Sequence, residues 1–450
     1  MPLPLAATVT LEAVGRGPSA DGLPPFSVPM RFFVTAAMFG MTAGGLLAWE
    51  GASAMGSRWT PPMLALTHLL TLGVLGMVMA GALFQVVPVL GGGGLPQARR
   101  LVWLVHPALA GGTTCLAVGL WCHSHLWLRG ALVLLTGTVT VMGVAVVTRL
   151  IGSRAKALRP LRFAVVAGSV GLGLGLWMLS AASWPSLAIA YRQWTNLHAT
   201  WAGAGLGLLM VFAVARQVLP MFHVTPPFAT WLDYWQPWGH SLALVLLLLP
   251  WPCPVVGMVF LSVAGVGFSV AGLDLLRRRR RRRPDATVLA WQVGLVAIVI
   301  ALMVEAVAAV WPGASTSAWW LSLETPIGLL FGFAGLGTIL IGMLTRIVPF
   351  LAFLHSQRAA ISAGRPAGQV PTMGHFLSDR MARAQVSLHV AGATVLVAAA
   401  VEPRIASLAG VLLAADFSLC LVWLLGTSRR YRLVELGLRP PDGRFGPAGQ

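Results

Sequence analysis

Ten histidines and a few acids buried in apolar sequence carry most of the chemistry this chain could do. His68 opens one long apolar run and His198 opens another. Neutral imidazole is the commonest protein ligand for metal ions. It also serves as an axial ligand of haem iron. An imidazole at a helix end can equally well hydrogen-bond a carbonyl or a lipid headgroup, so position has to separate the two uses. Glu305 and Asp416 are acids inside apolar runs, and an ionisable group there marks a functional position by default, as a proton-path group or a buried hydrogen bond. Four cysteines, Cys115, Cys122, Cys253 and Cys420, form neither a CxxC pair nor a zinc spacing and read as small apolar packing residues.

Only a membrane can hold these groups. Hydrophobic residues make up 57% of the chain and charged residues 10%, against about 25% charged in soluble domains. Lipid must solvate most of the outer surface. Apolar runs of about 20 residues mark spans. They fall at 28–50, 61–90, 101–121, 127–151, 161–183, 195–222, 237–251, 254–276, 286–311, 321–354, 384–401 and 404–426. The expected fold is an all-α integral membrane protein, a twelve-span helix bundle with tails at 1–27 and 427–450. The first 25 residues have no long apolar core and do not read as a cleavable signal.

With twelve spans, 25 of the 31 basic residues fall on one side, including the unbroken run Arg277 to Arg283. The positive-inside rule makes that side, and both termini, cytoplasmic. The net charge of +18 then reads as a topology signal with contacts to anionic lipid headgroups at Arg277 to Arg283, not as a nucleic-acid surface.

Three spans end alike: Gln85 to Pro88 (QVVP), Gln217 to Pro220 (QVLP) and Arg346 to Pro349 (RIVP). The prolines are 132 and 129 residues apart. Fixed-period similarity signals a repeated unit. The units are about 28–151, 161–276 and 286–426, each of four spans, pseudo-equivalent to one another. Small residues upstream of each proline permit close packing. The polar residues Gln85, Gln217 and Arg346 are expected to face protein. His68 and His198 lie on these repeat helices at nearly matching depth, about 30 Å of helix rise before the proline, near the periplasmic face.

Span 2 reads His68, Gly73, Met77, Gly81, Ala82, Leu83 and Pro88 in the register H-x4-G-x3-M-x3-G-A-L-x4-P. This resembles the haem-ligand helix of haem-copper oxidase subunit I in the C-family oxidases and nitric oxide reductases. The opening PPFSVPMRFFVTAAMFGMTAGGLLAW also resembles the NnrS-like membrane haem proteins of denitrifying bacteria. The resemblance implies twelve spans in three groups of four and a bacterial inner membrane. It also implies a b-type haem or copper at His68 and His198, and a role in respiratory or nitric oxide metabolism. It carries over only in part. The family takes paired histidines from span 10 and an adjacent pair from span 7; here span 10 offers only His355, at the wrong end, and span 7 only His240, placed at the cytoplasmic end. A complete dinuclear oxidase or nitric oxide reductase centre is therefore not expected. A transporter built from repeats and a cofactor-free assembly scaffold are the competing readings.

Overall fold

The computed structural model describes residues 24–91, 93–184, 189–280, 285–311, 313 and 317–438. Arg281 to Arg283, most of the amino-terminal tail and the last twelve residues lie outside them.

Among the described residues all regular structure is helical. Eleven helices are long and apolar enough to cross a membrane: α1 (Ser27–Glu50), α2 (Pro61–Gly91), α3 (Ala98–Trp121), α4 (His125–Ile151), α5 (Lys156–Ser183), α6 (Tyr191–His223), α8 (Cys253–Arg277), α9 (Ala286–Val310), α10 (Ala318–Ser362), α11 (Asp379–Ala399) and α12 (Pro403–Gly437). The run expected at 237–251 folds instead as the 17-residue helix α7 (Thr230–Leu246). It starts seven residues earlier because the aromatic-rich segment Thr230 to Gln236 forms its first turns. It stops before Pro250 and Pro252, which cannot continue it.

Local sequence sets several of the starts. Thr60 accepts the Met63 amide ahead of Pro61 and Pro62, Asp285 accepts the Thr287 amide, and Ser378 accepts the Met381 amide. Each supplies one acceptor to the orphan amides of a first turn. The exposed surface is apolar, with Val133, Ile151, Val166 and Val263 facing outward. Exposed tryptophans such as Trp49, Trp251 and Trp311 stand at or just beyond helix ends, where amphipathic rings are enriched at the membrane–water boundary. This is an all-helical, multi-pass membrane protein.

Helices α1 and α12, the first and last of the described helices, pack tightly against each other. A Cβ on Gly44 would strike the backbone of Ala414, and one on Gly410 would strike the backbone of Ala48. Backbones approach this closely only where side chains are missing.

The three repeat helices share an unusual feature. Each changes from α to π winding for eight residues, at Leu69–Gly76, Trp201–Leu208 and Leu330–Gly337. The three π segments start 132 and 129 residues apart, the spacing of the prolines, and each starts 19 residues before its proline. Each segment is laid against the first helix of its own unit by glycine: Gly73 on Phe39 of α1, Gly205 on Ala167 of α5, and Gly335 on Ile298 of α9. Helices α2, α6 and α10 are also the most buried of the eleven, at 61–67% against 50% or less elsewhere. All three line a cavity of about 60 Å³ with an apolar lining that includes Met79, Ala82, Met210, Val214, Ile339 and Met343.

Candidate functional site

The π segments organise the buried polar groups. π winding is rare and is frequently found at functional sites. His68 is the last residue before the first π segment, and His198 lies three residues before the second. Repeat spacing pairs His68 with Thr200 and His198 with Leu66. The two histidines are therefore near neighbours in depth, not equivalent positions.

Both imidazoles are oriented in the same chemical manner. His68 Nδ1 lies 2.8 Å from the Leu64 carbonyl oxygen, and His198 Nδ1 lies 2.8 Å from the Gly171 carbonyl oxygen on α5. A carbonyl only accepts, so each Nδ1 carries the proton and each Nε2 presents a lone pair. Gly175 leaves the space that the His198 ring fills, since a Cβ there would come within 2.7 Å of Cε1. The two rings are near enough to interact electrostatically. Neither lines the apolar cavity or the polar cavity described below. Among the described residues no cluster of three or more His, Cys, Asp or Glu side chains could hold a metal ion.

Beside them, one charge cluster joins all three units. Glu324 of α10 forms ion pairs with Arg58, ahead of α2, at 3.0 Å and with Arg192 of α6 at 3.1 Å. Arg58 also donates to Asn196 Oδ1 at 2.8 Å. Glu305 of α9 lies within electrostatic reach of Arg58 and Glu324. Burial pushes the Arg58 guanidinium below its ordinary value, and Glu324 opposes that shift. Asn196 and Arg192 stand two and six residues before His198, so the cluster closes this end of the bundle over the two imidazoles.

At the arginine-rich end the three proline-linked polar residues part ways. Gln85 is buried, and neither amide atom has a hydrogen-bond partner among the described residues. Gln217 is exposed, against expectation. The preceding residue, Arg216, takes the inward direction instead. It bonds Asp233 at 2.6 Å, Gln236 at 3.1 Å and the Phe212 carbonyl at 2.9 Å. On a helix one residue is a turn of about 100°, enough to exchange a lipid-facing for a protein-facing position. Arg346 lies 3.8 Å from Asp285, its Nε buried and without an acceptor. The two line a polar cavity of about 50 Å³ together with Thr345, Asp379 and Arg383. Asp285 is buried, which by itself would raise its pKa. The Thr287 hydroxyl and amide, then Arg346 and His223, outweigh that and hold the carboxyl below its ordinary value.

Two further histidines are buried, His240 in contrast to the cytoplasmic-end position expected for it. His240 lies ten residues into α7 and His389 ten residues into α11, about 15 Å along each helix. They are 0% and 1% exposed. α7 and α11 are the third helices of the second and third units, and each histidine meets its own unit's π segment. His240 Nε2 donates to the Ala204 carbonyl at 2.9 Å. The His389 ring packs on Phe333, centroids 4.9 Å apart, and Phe333 is the repeat counterpart of Ala204. In the first and third units that counterpart carbonyl accepts the next π bond, from Met77 to Leu72 and from Thr338 to Phe333. In the second unit the Leu209 amide turns to Leu206 instead, and His240 takes its place. The intramembrane acid Asp416 has partners too: His389 Nδ1 at 2.7 Å, and Gln385. The common offset of His240 and His389 from their helix starts was present in the sequence, but it shows only once the start of α7 is known.

No protein-family model matches this sequence, and no curated protein matches it. Class rests on the fold, a multi-pass helical membrane protein, and function rests on the sites above.

Proposed function

We propose that this chain is a haem- or copper-binding membrane protein of the haem-copper oxidase subunit I type. Its twelve spans form three four-helix units, with both termini in the cytoplasm and α7 as the seventh span. It lacks a complete dinuclear reducing centre and acts in respiratory or nitric oxide metabolism. His68 and His198 are the ligands.

One observation carries this reading. Both histidines spend Nδ1–H on a backbone carbonyl and have no hydrogen bond at Nε2 among the described residues. A ligating histidine almost always has its second nitrogen pinned in this way, whereas a histidine that serves only as a local hydrogen bond gains nothing from a second one beside it. The donor set suits the proposed group, because soft or borderline metals and haem iron accept neutral imidazole. When bound, the group supplies one-electron or diatomic-ligand chemistry. The chain's own part is positional. Leu64 and Gly171 fix the tautomers, Gly175 makes room for the His198 ring, and Arg58, Glu324 and Arg192 draw the three units together over the site.

The purified protein is expected to show a Soret band or bound copper by elemental analysis. His68→Ala and His198→Ala should each remove most of it, and His123→Ala in the α3–α4 loop should not. Metal-free wild type, or unchanged content in both variants, replaces this reading with the cofactor-free scaffold.

A further inference from the structure

The last two helices carry a polar network that the His68–His198 site does not use. Gln385, His389 and Asp416 are 0–1% exposed inside α11 and α12. Trp423 Nε1–H donates to Gln385 Oε1 at 3.0 Å, the Gln385 amide donates to Asp416 Oδ1, and Asp416 Oδ2 lies 2.7 Å from His389 Nδ1. Every polar side-chain atom of this four-residue network is used except one. His389 Nε2 is buried with no partner among the described residues. It faces Gly337, where a Cβ would lie 3.8 Å away, at the end of the third π segment.

We propose that the His389–Asp416 pair is a proton-holding site inside the membrane, with His389 Nε2 as the atom that gains and loses the proton. Without the proton the pair is a neutral imidazole, Nδ1–H, hydrogen-bonded to a carboxylate, with one net negative charge. A proton arriving at Nε2 gives imidazolium and carboxylate. If the Nδ1 proton then crosses to Oδ2, the pair is a neutral imidazole and a neutral acid. Either loaded form is net neutral, and no other bond is made or broken. Such a site suits a low-dielectric medium: an unpaired charge there is costly, and loading removes it.

The surroundings leave the pair as the charge-bearing unit at this depth. Phe333 and Phe417 flank His389. The titratable neighbour on α12 is Cys420, one turn from Asp416. The charged residues of the helices packed around the pair lie well along the chain from its contacts. On α10 Glu324 is nine residues before Phe333 and Arg346 nine residues after Gly337, on α1 Arg31 and Glu50 stand near the ends, and on α9 Asp285 caps the helix five residues before Ala290, which packs beside Val386, with Glu305 far beyond it. The nearest polar approach is the cavity lined by Asp379, Ala382 and Arg383. Its last residue is six positions from His389, about 9 Å along α11.

The full-length protein, reconstituted in lipid with 15N-labelled histidine, tests this by imidazole NMR and by infrared difference spectra over about pH 4 to about pH 10, which brackets ordinary carboxyl and imidazole titration. One buried imidazole should change the protonation of a ring nitrogen, together with a carboxyl or carboxylate band. Asp416→Asn and His389→Gln should each abolish that coupled transition. His375→Gln, in the loop before α11, should leave it intact. A wild-type protein with no buried imidazole or carboxyl change across that range overturns the proposal, whatever the variants do. So does a folded Asp416→Asn protein that titrates as wild type.

Discussion

His240 offers the sharpest test of how this bundle tolerates π winding. Its Nε2–H takes the Ala204 carbonyl at 2.9 Å, in a site with no exposure, where the Leu209 amide has turned away to Leu206. His240→Leu is close to isosteric and removes the donor. The carbonyl then loses its side-chain donor in a site without solvent exposure. An unsatisfied buried acceptor costs about 1–3 kcal/mol. Side-chain hydrogen bonds between membrane helices average only about 0.6 kcal/mol, so the orphaned carbonyl decides the size of the effect. The loss should therefore lie toward about 1–3 kcal/mol, and His240→Gln, which keeps a donor, should recover part of it. Thermal unfolding in detergent, followed by helical circular dichroism, measures the order wild type, Gln, Leu. Hydrogen exchange should quicken at the amides of the second π segment in the Leu variant. Metal content should be unaffected by either change, because the proposed ligands are His68 and His198. A His240→Leu protein as stable as wild type would refute the reasoning, and lost metal would make His240 a ligand.

Gly44→Leu should destabilise the protein by about 1–3 kcal/mol or more through overpacking at the α1–α12 contact, while Gly45→Leu, with nothing within 4 Å of its Cβ, should be nearly silent in the same melts. Asp285 has its carboxyl held below the ordinary aspartate value of 3.8, so its stabilisation is complete above that value and drains away as pH falls through the lower folded value. Melting temperature should drop with acidification in that window, and Asp285→Asn should remove that part of the slope. Reporter fusions after residues 155, 280 and 430 should share one side, with a fusion near 190 on the other; a split between 155 and 280 would count α7 out of the spans.

What the sequence determined by itself is the solvent, the helices and their period. Charge density and apolar run length answer to lipid, a medium that acts on each residue locally, so they can be read without neighbours. The repeat was legible for the same reason, since its prolines recur at a fixed spacing; they do not end the helices as the sequence suggested, because all three lie inside helices that run on to Gly91, His223 and Ser362. The side chains' partners were not legible. Gln217 points out and Arg216 points in because a rotation of one residue around α6 is set by what α7 presents, Asp233 and Gln236. Asp416 looked solitary because its partners lie 27 and 31 positions away on another helix. The π segments pack through glycine contacts between helices, the second also takes a hydrogen bond from a histidine on a third helix, and no window along the chain contains all of these. Composition and periodicity decide that the chain folds as a membrane bundle. Which imidazole meets which carbonyl is decided only when the helices pack, because a hydrogen bond is set to within tenths of an ångström and a helical period is not.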